Sequence, residues 1–284
     1  MLQAPRDVEL VPRSKRETDV TSEEDLTAAV RDARPHVVIN CAAFANVDAA
    51  ESQQSLAFAV NGEGPGLVGQ AVARSGGRML VVHFSTDYVF DGQSRRPYRE
   101  DDATQPLGAY GASKLAGEAS LAASGAPHLI IRTQWLFGLG GRSFPRTMWE
   151  RARGGQVTRV VEDQVGRPTY TVDLALATWR LVGSERSATS GSGGAGGEWG
   201  RGIVHVANGG ATTWYDVAKR VFEAAGRLDL LAPCKTEAYP TPARRPAYSV
   251  LDTSTYESLV KETMPPWQNA VDRMLSDLRT EGAL

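Results

Sequence analysis

The sequence predicts an α/β fold built on a doubly wound parallel sheet. Three near-continuous apolar runs carry this prediction, at 36–43 (HVVINCAA), 78–85 (RMLVVHFS) and 128–133 (HLIIRT). Such runs are typical of strands that are buried on both faces of a parallel sheet. Segments with helical periodicity separate the runs, and this alternation favours strands joined by crossover helices.

The predicted elements follow one another along the whole chain. The first half predicts a strand at Val8–Val11, helices at Ser22–Arg34, Ala50–Ser75 (interrupted around Gly62–Gly66) and Leu107–Ser124, and the three apolar strands between them. The second half predicts helices at Phe144–Arg153, Thr171–Leu181, Thr213–Ala225 and Trp267–Leu278 and a strand at Ile203–Val206. Thr213 and Asp216 form a capping box for one of these helices. The Ser- and Gly-rich stretch 184–202 is typical of a surface insertion.

Composition excludes several classes of protein. The 284 residues are 42% hydrophobic and carry a net charge of −2, so the charge balance calls for neither nucleic acid nor an anionic membrane. No window resembles a signal peptide or a membrane-spanning run. The two cysteines, Cys41 and Cys234, do not make a disulfide framework, and Cys41 is expected to be a small core residue. These observations predict a cytoplasmic protein.

The sequence lacks the glycine-rich turn with which a dinucleotide-binding sheet normally begins. No glycine lies before Gly62, and residues 1–7 lead straight into the strand expected at Val8–Val11. That turn normally holds a pyrophosphate with its backbone N–H groups, and its strand is central in the usual order. We therefore expect that the first strand is missing, that the true start site lies upstream, and that a chain beginning at Met1 binds a pyrophosphate weakly.

Tyr110 and Lys114, in the run YGASK, are the strongest chemical signal. Residues at i and i+4 lie on one face of a helix, and a nearby ammonium favours the ionised phenol. Upstream, Ser85 and Thr86 end a predicted buried strand, where open α/β sheets bind ligands. A hydroxyl, a phenol and an ammonium together indicate carbonyl reduction, with a hydride from a nicotinamide and a proton from Tyr110. The alternatives are a chance pair on a solvated helix face and hydroxyls that only cap a turn.

Eight runs along the chain resemble one family of enzymes. They are ETDVTSEEDL (17–26), PHVVINCAAFANVDAAE (35–51), HFSTDYVFDG (83–92), PYREDDATQPLGAYGASKLAGE (97–118), RTQWLFG (132–138), EDQVGRPT (162–169), NGGATTWYDVAK (208–219) and YPTPARRPAYSVLDTS (239–254). The sequence resembles the extended short-chain dehydrogenases/reductases and, among them, the dTDP-4-dehydrorhamnose reductases. The resemblance implies a Rossmann-type NADP-binding domain at 1–140, to which 170–206 returns. It also implies a smaller C-terminal α+β substrate-binding domain at 141–169 and 207–284.

The resemblance also assigns site residues. The family's catalytic residues fall on Thr86, Tyr110 and Lys114. The implied cofactor-binding residues are Asp19, Val20, Ala43, Phe44, Ala45, Tyr110 and Lys114, and the implied substrate-binding residues include Thr86, Asp87 and Trp135. Without the resemblance, Trp135 would be interpreted as a core aromatic residue and Asp19 as an acid at a helix start.

Further candidates lie in the second half and near the N-terminus. Arg244 and Arg245 can clamp a substrate diphosphate, with a solvated arginine pair as the alternative. The loop 163–169, with Gln164, is expected on the substrate side or is an ordinary turn. The basic run RSKR (13–16) suits a 2′-phosphate and favours NADPH, while NADH and a solvated charge run stay open. The four histidines have no metal-ligand spacing and are expected to be structural, and Mg²⁺, which some family members use, has no support in the sequence.

The implied reaction is the reduction of dTDP-4-dehydro-β-L-rhamnose, a dTDP-linked 4-keto-6-deoxy sugar, to dTDP-L-rhamnose, a precursor of surface polysaccharides. A homodimer is compatible with the resemblance. Two alternatives stay open: another nucleotide-sugar epimerase or dehydratase of the extended group, and a non-catalytic regulatory subunit of the methionine adenosyltransferase type. The chain departs from the family in the missing first strand, in the insertion at 184–202, and at Tyr248, where Asn is common.

Overall fold

The computed structural model describes residues 4–76, 79–190 and 201–281. Its strands are β1 (Val37–Asn40), β2 (Leu80–Thr86), β3 (His128–Thr133), β4 (Leu136–Phe137), β5 (Thr158–Val161), β6 (Val165–Gly166), β7 (Thr169–Tyr170), β8 (Arg201–His205), β9 (Thr212–Thr213) and β10 (Leu231–Cys234). Its α-helices are α1 (Glu23–Ala33), α2 (Val47–Ser52), α3 (Gln54–Phe58), α4 (Gly64–Arg74), α5 (Ala109–Ala123), α6 (Phe144–Arg153), α7 (Thr171–Ser190), α8 (Trp214–Ala224), α9 (Ser254–Val260) and α10 (Trp267–Glu281).

The main sheet contains four parallel strands in the order β1-β2-β3-β8. Alternate side chains of its strands enter two different cores. Val81 and Ile130 pack on one face with residues of α1, α4 and α5. Val82 and Ile131 pack on the other face with residues of α7 and α9. Helices therefore cover both faces, and the predicted doubly wound α/β fold is confirmed.

The N-terminal part of the chain differs from the prediction. Val8–Val11 forms no strand, and Leu10 and Val11 are exposed. Within the described sheet β1 pairs with β2 alone, so β1 is an edge strand. Cys41 follows the last residue of this edge strand and is exposed. The prediction of a buried Cys41 is wrong because the apolar run extends beyond the strand that the sheet buries.

The helical stretch before β2 is not broken at its glycines. A π-helical turn at Ala59–Glu63 joins α3 to α4 instead. Helix α5 packs closely against this turn, since a Cβ at Gly117 would lie 2.0 Å from the carbonyl oxygen of Asn61. A Cβ at Gly66 would likewise lie 2.9 Å from the Cβ of Ser120. The glycines thus permit close helix packing rather than ending a helix.

The second half of the chain builds a separate apolar cluster. Helices α6, α8 and α10 bury their apolar faces against each other and against β4, β5 and β7, with Phe222 and Met274 fully buried. The predicted capping box of Thr213 and Asp216 begins α8. Helix α7 continues to Ser190, and the rest of the predicted insertion, 191–200, lies outside the described residues. The two domain boundaries stay a prediction.

Candidate active site

The three predicted catalytic side chains come together at the carboxyl end of β2. Thr86 is the last residue of β2, and Tyr110 and Lys114 lie one helical turn apart near the start of α5. The Thr86 hydroxyl lies beside the Tyr110 phenol and lowers its pKa. The backbone N–H of Tyr88 also donates to the Thr86 Oγ1 at 3.2 Å, and this fixes the hydroxyl at the strand end.

The start of α5 is held by a residue that the sequence did not indicate. Glu51, on α2, accepts a hydrogen bond at its Oε1 from the backbone N–H of Ala109 at 2.9 Å. A Cβ at Gly108 would lie 2.4 Å from the same oxygen, so this approach requires glycine there. A carboxylate at a helix N-terminus also interacts favourably with the helix dipole. Helix α2 therefore fixes the position from which Tyr110 extends.

Tyr110 holds its proton firmly in this environment. Burial raises the pKa of Tyr110 to about 12, the charge of Asp87 acts in the same direction, and the hydrogen bond from Thr86 opposes both. The Lys114 Nζ donates to the carbonyl oxygen of Phe84 at 2.6 Å, and its predicted effect on the phenol stays a prediction. A phenol that stays protonated at neutral pH suits a proton donor.

Asp87 is a buried acid beside this pair. Burial raises the pKa of Asp87 to about 7, although hydrogen bonds from Ser249 and Thr86 lower it. Its Oδ1 accepts from the Thr86 Oγ1 at 3.1 Å, whereas its buried Oδ2 has no partner in the part of the chain that the structure describes. Such an unpaired buried oxygen is costly unless a ligand or water pairs with it. This geometry suits the substrate contact expected at Asp87.

The loop after β1 carries the predicted cofactor contacts Ala43, Phe44 and Ala45. The amide of Asn61 clamps Phe44, since it accepts from the Phe44 N–H at 2.8 Å and donates to the Phe44 carbonyl at 3.0 Å. The same amide donates to the Ser113 Oγ at 3.1 Å, and this ties the loop to α5. Ala43 and Ala45 are exposed and small, and they leave room at the strand end beside Phe44, which packs near Tyr110.

Asn61 is a site residue that the sequence interpretation missed. It is fully buried, and it lies on the π-helical turn. Such turns are frequent at functional sites because they redirect one side chain. The signal available in the sequence was a polar residue within a largely apolar helical stretch, because such a residue needs a hydrogen-bond partner when it is buried.

The other predicted cofactor contacts lie at the start of α1. The Asp19 Oδ1 accepts from the N–H and the hydroxyl of Thr21 at 2.9 and 2.8 Å. These bonds lower the pKa of Asp19. Val20 is buried against Gly64. Asp19 therefore orders the turn before the helix, as expected of an acid at a helix start. Its role toward a cofactor stays a prediction.

The two predicted phosphate-binding arginines have different environments. Arg245 pairs with Asp48 of α2, through contacts of 3.1 and 2.9 Å between residues 197 apart in the sequence. Arg244 is exposed and lines a small pocket together with Glu51 and Tyr110. Of the two, Arg244 is thus exposed and lines the same pocket as Tyr110, whereas Arg245 anchors the segment.

Trp135 is held in an unusual backbone conformation. Its φ is 47°, in the left-handed region that costs a non-glycine residue about 1–3 kcal/mol. Its indole stacks on that of Trp214, with 3.7 Å between ring centroids and 12° between planes. A Cβ at Gly166 would lie 2.6 Å from the Trp135 ring. Trp135 is half-buried, so it is not the core aromatic residue expected of it without the family resemblance.

The loop 163–169 is anchored to two later segments of the chain. The Gln164 Nε2 donates to the Thr236 Oγ1 at 3.1 Å, and Asp163 accepts from the N–H and the hydroxyl of Thr236. The N–H of Val165 donates to the carbonyl of Ala247 at 2.8 Å. Two runs that are far apart in sequence therefore pair, with Tyr248 beside them in a bridge to Val165. Gln164 is buried, and its predicted substrate contact stays a prediction.

The described residues contain neither a candidate metal cluster nor a candidate membrane-spanning helix. No group of three or more His, Cys, Asp or Glu side chains that could hold a metal ion occurs within 4–76, 79–190 and 201–281. No helix in these ranges is long and apolar enough to cross a membrane.

Fold and site together define a class of protein. A hydroxyl beside a phenol, with a lysine one helical turn further, lies at the carboxyl edge of a doubly wound sheet. This combination defines a nicotinamide-dependent oxidoreductase of the short-chain dehydrogenase/reductase type. Within this class, the chain belongs to the family described as RmlD substrate binding domain, whose model matches residues 1–280.

Similar proteins agree with this membership. The dTDP-4-dehydrorhamnose reductase of Burkholderia thailandensis is 40% identical over 284 residues, with 96% of this chain and 92% of the relative covered. A probable dTDP-4,6-dihydroxy-2-methyloxan-3-one 4-ketoreductase of Streptomyces antibioticus is 39% identical, with 92% and 84% covered. The crystal structure of a Bacillus anthracis dTDP-4-dehydrorhamnose reductase in complex with NADP superposes with a TM-score of 0.87 at 32% identity, with 96% and 92% covered. The predicted family is confirmed, and neither alternative function is favoured.

Proposed function

We propose that this protein reduces dTDP-4-dehydro-β-L-rhamnose to dTDP-L-rhamnose with NADPH. The observation that carries the proposal is the Thr86 hydroxyl beside the Tyr110 phenol at the end of β2, in a chain of this family. The relatives that share its length are named as reductases of this sugar nucleotide, and one of them binds NADP.

The residues around the phenol fit the nicotinamide half of the cofactor. Ala43 and Ala45 present small exposed side chains at the carboxyl end of β1, where such sheets bind ligands. Lys114 and Tyr110 lie on the neighbouring face of α5. When bound, NADPH supplies the hydride. The exposed basic run 13–16 would hold the 2′-phosphate, and this supports NADPH over NADH.

Thr86 and Tyr110 act on the sugar ketone. The Thr86 hydroxyl orients the carbonyl oxygen, and the Tyr110 phenol lies within reach of the same oxygen. As the carbon–hydrogen bond forms at C4, the C=O π bond breaks and its electron pair moves to oxygen. Tyr110 transfers its proton to that oxygen, so the product is an alcohol. Tyr110 carries its proton at neutral pH before this step.

The substrate's diphosphate and sugar contact the second half of the chain. Arg244 faces the pocket beside Tyr110 and would pair with a phosphate. Arg245 fixes this segment on Asp48. Trp135 presents a half-buried indole to the sugar, and Asp87 offers its unpaired Oδ2. These roles extend the proposal residue by residue.

The reaction itself is tested by following nicotinamide absorbance. Supplied with NADPH and dTDP-4-dehydro-β-L-rhamnose, the protein should oxidise one NADPH for each dTDP-L-rhamnose that appears by chromatography. An epimerase would instead interconvert sugars without net consumption of the cofactor. Sugar conversion without NADPH oxidation, or no turnover while NADPH and the sugar nucleotide both bind, would refute the proposal.

A second ketone deserves the same assay. The Streptomyces antibioticus relative, 39% identical, is named as a ketoreductase of a different dTDP-linked ketone. Comparison of kcat/KM for the two ketones decides between them. We expect the dehydrorhamnose nucleotide to be preferred, since most of the similar chains carry that name.

Location and assembly complete the proposal. The absence of a disulfide framework and the use of a nucleotide-linked sugar support a cytoplasmic site of action. A homodimer remains a prediction, which sedimentation of the purified protein tests.

A further inference from the structure

The interior neighbour of Lys114 is a histidine that the proposed reaction does not use. The Lys114 Nζ lies 3.3 Å from the Nε2 of His83 and donates to the carbonyl of Phe84 at 2.6 Å. Both side chains are buried, with exposures of 2% for Lys114 and 0% for His83. Burial, and then the charge of Lys114, lowers the pKa of His83 far below its usual value, so the imidazole is neutral. A neutral imidazole carries one N–H and one acceptor nitrogen.

Asn40 determines which nitrogen carries the proton. Its Oδ1 accepts from the N–H of Ala42 at 3.0 Å, and its Nδ2 therefore faces the Nδ1 of His83 at 3.3 Å. An amide NH₂ only donates, so the Nδ1 must be the acceptor. The single proton of His83 then lies on Nε2. With the other tautomer, the Nδ1–H and the Asn40 amide would face each other without an acceptor, whereas the Lys114 Nζ has the Phe84 carbonyl as its acceptor with either tautomer.

The consequence for Lys114 follows from the direction of that N–H. An imidazole N–H that points at a nitrogen forms a hydrogen bond with a neutral amine but opposes an ammonium. We propose that Asn40 and His83 are positioning residues for Lys114: they hold the imidazole with its proton on Nε2 and so present an N–H to the lysine nitrogen. This role rests on the proposed function only where it concerns activity.

The surroundings of Lys114 agree with this arrangement. Burial lowers the pKa of Lys114 to about 8, and the charge of Glu118 opposes the shift. Glu118 lies on the same helix, but its carboxylate is paired with Arg132 of β3 at 2.7 Å and accepts from Ser85 of β2. The groups that face Lys114 are thus an imidazole, a backbone carbonyl and a carboxylate that Arg132 already neutralises. Its ammonium should give up its proton within the working pH range.

The tautomer of His83 is measured directly by long-range ¹H–¹⁵N correlation on the full chain. Four histidines occur in the sequence, and a His83→Gln variant assigns the signals of His83. We expect a protonated Nε2 and an unprotonated Nδ1 in the native chain. In Asn40→Asp the new carboxylate accepts from Nδ1, so the proton should move to Nδ1. A native His83 with its proton on Nδ1 would overturn the proposal.

The effect on Lys114 is measured by the pH dependence of NADPH binding, followed by fluorescence without substrate. Native affinity should fall as pH rises through about 8, where the ammonium loses its charge. Asn40→Asp and His83→Met should both move this fall upward by about one pH unit, the size of a single hydrogen bond to a charged group. His83→Met adds no charge, so it separates the effect of the N–H from that of a new carboxylate.

His128→Gln is the matched control. His128 is also buried, but it lies at the first residue of β3, with its Nδ1 at 2.9 Å from the carbonyl of Ala126. The His128→Gln variant should show the same pH of falling NADPH affinity as the native chain. An unchanged fall in both Asn40→Asp and His83→Met would overturn the role assigned to His83. Loss of the proposed reductase activity in the native chain would be a separate result, since neither the tautomer nor the binding measurement depends on turnover.

Discussion

The catalytic and substrate sides of the site are held in place by different kinds of contact. On the catalytic side, Thr86 and Tyr110 extend from β2 and α5, elements of the main sheet and its covering helix layer. On the substrate side, which we define as 134–135, 163–169 and 243–249, loops are anchored by single long-range contacts such as Arg245 on Asp48. The comparison teaches that the proposed catalytic side chains are held by secondary structure, whereas the proposed substrate-binding loops are held by a few long-range contacts. Substitutions on the two sides should therefore affect different kinetic constants.

The largest expected effect is on the catalytic side. Tyr110→Phe should lower kcat about 10³-fold, because general acid catalysis typically contributes about 10²–10⁴-fold. NADPH affinity should change little, since the phenyl ring keeps its packing. Steady-state kinetics and a fluorescence titration measure the two quantities. Tyr215→Phe, on α8, serves as the control, and a Tyr110→Phe variant that kept most of its kcat would remove Tyr110 as the donor.

The second prediction concerns the pH dependence of stability through Asp87. Burial raises the folded-state pKa of Asp87 from 3.8 to about 7, so the folded state binds its proton more tightly than the unfolded state. Asp87 therefore costs stability as pH rises through this window, by roughly 4 kcal/mol as an upper bound. Asp87→Asn should remove this loss, so its urea midpoint relative to the native chain should be higher at pH 8 than at pH 5.

Asp91 supplies a control of opposite sign. A hydrogen bond from Tyr98 lowers the pKa of Asp91, so the folded state favours its charged form. Asp91 therefore stabilises the fold above the unfolded pKa, and that stability is lost as pH falls. Asp91→Asn should weaken the protein more at pH 8 than at low pH. Equal pH profiles for the Asp87 and Asp91 variants would contradict the buried environment assigned to Asp87.

The third prediction tests the division between the two arginines. Arg244→Ala should raise KM for the sugar nucleotide about 10- to 100-fold, the value of a hydrogen bond to a charged group, and change kcat less. Arg95→Ala, an exposed arginine in another loop, is the matched control. Asp48→Asn should raise KM less than Arg244→Ala, because it loosens an anchor rather than removing a ligand contact. The reverse order would assign the phosphate contact to Arg245.

The smallest expected effect is at the stacked indoles. Trp214→Leu should raise KM about threefold to tenfold, since a stacked aromatic pair contributes about 0.5–1.5 kcal/mol beyond its buried area. Trp214→Phe retains a ring under Trp135 and should restore most of the affinity. The kcat should stay near the native value in both variants. A fall in kcat with KM unchanged would place Trp135 on the catalytic side of the comparison.

Much of the catalytic side was predictable because its contacts are local. The spacing of Tyr110 and Lys114 fixes a common helix face, and the apolar run before Thr86 fixes a buried strand. The family resemblance then added the roles of these residues. Their protonation was not predictable, because the direction of the Lys114 Nζ toward Phe84 depends on how α5 sits on the sheet.

The local sequence pattern was misleading where tertiary neighbours determine the structure of a segment. Val8–Val11 has strand-like composition, but a strand needs a neighbour that shares its hydrogen bonds, and the described sheet provides none there. Cys41 lies in an apolar run but beyond the edge of the sheet. His83 is buried, as expected of a structural histidine, but only the packing of α5 on β2 brings it to Lys114.

By itself the sequence determined the alternating elements, the two-faced burial of the central strands, and the spacing of the catalytic side chains. These features arise from neighbours within one or two turns or from a period along one strand. Only the tertiary structure decided that Asp48 forms an ion pair with Arg245, that Asn61 hydrogen-bonds the backbone of Phe44, and that Trp135 adopts a left-handed backbone conformation. Those contacts join residues far apart in sequence or oppose local preference, so no periodicity encodes them, and packing alone selects them.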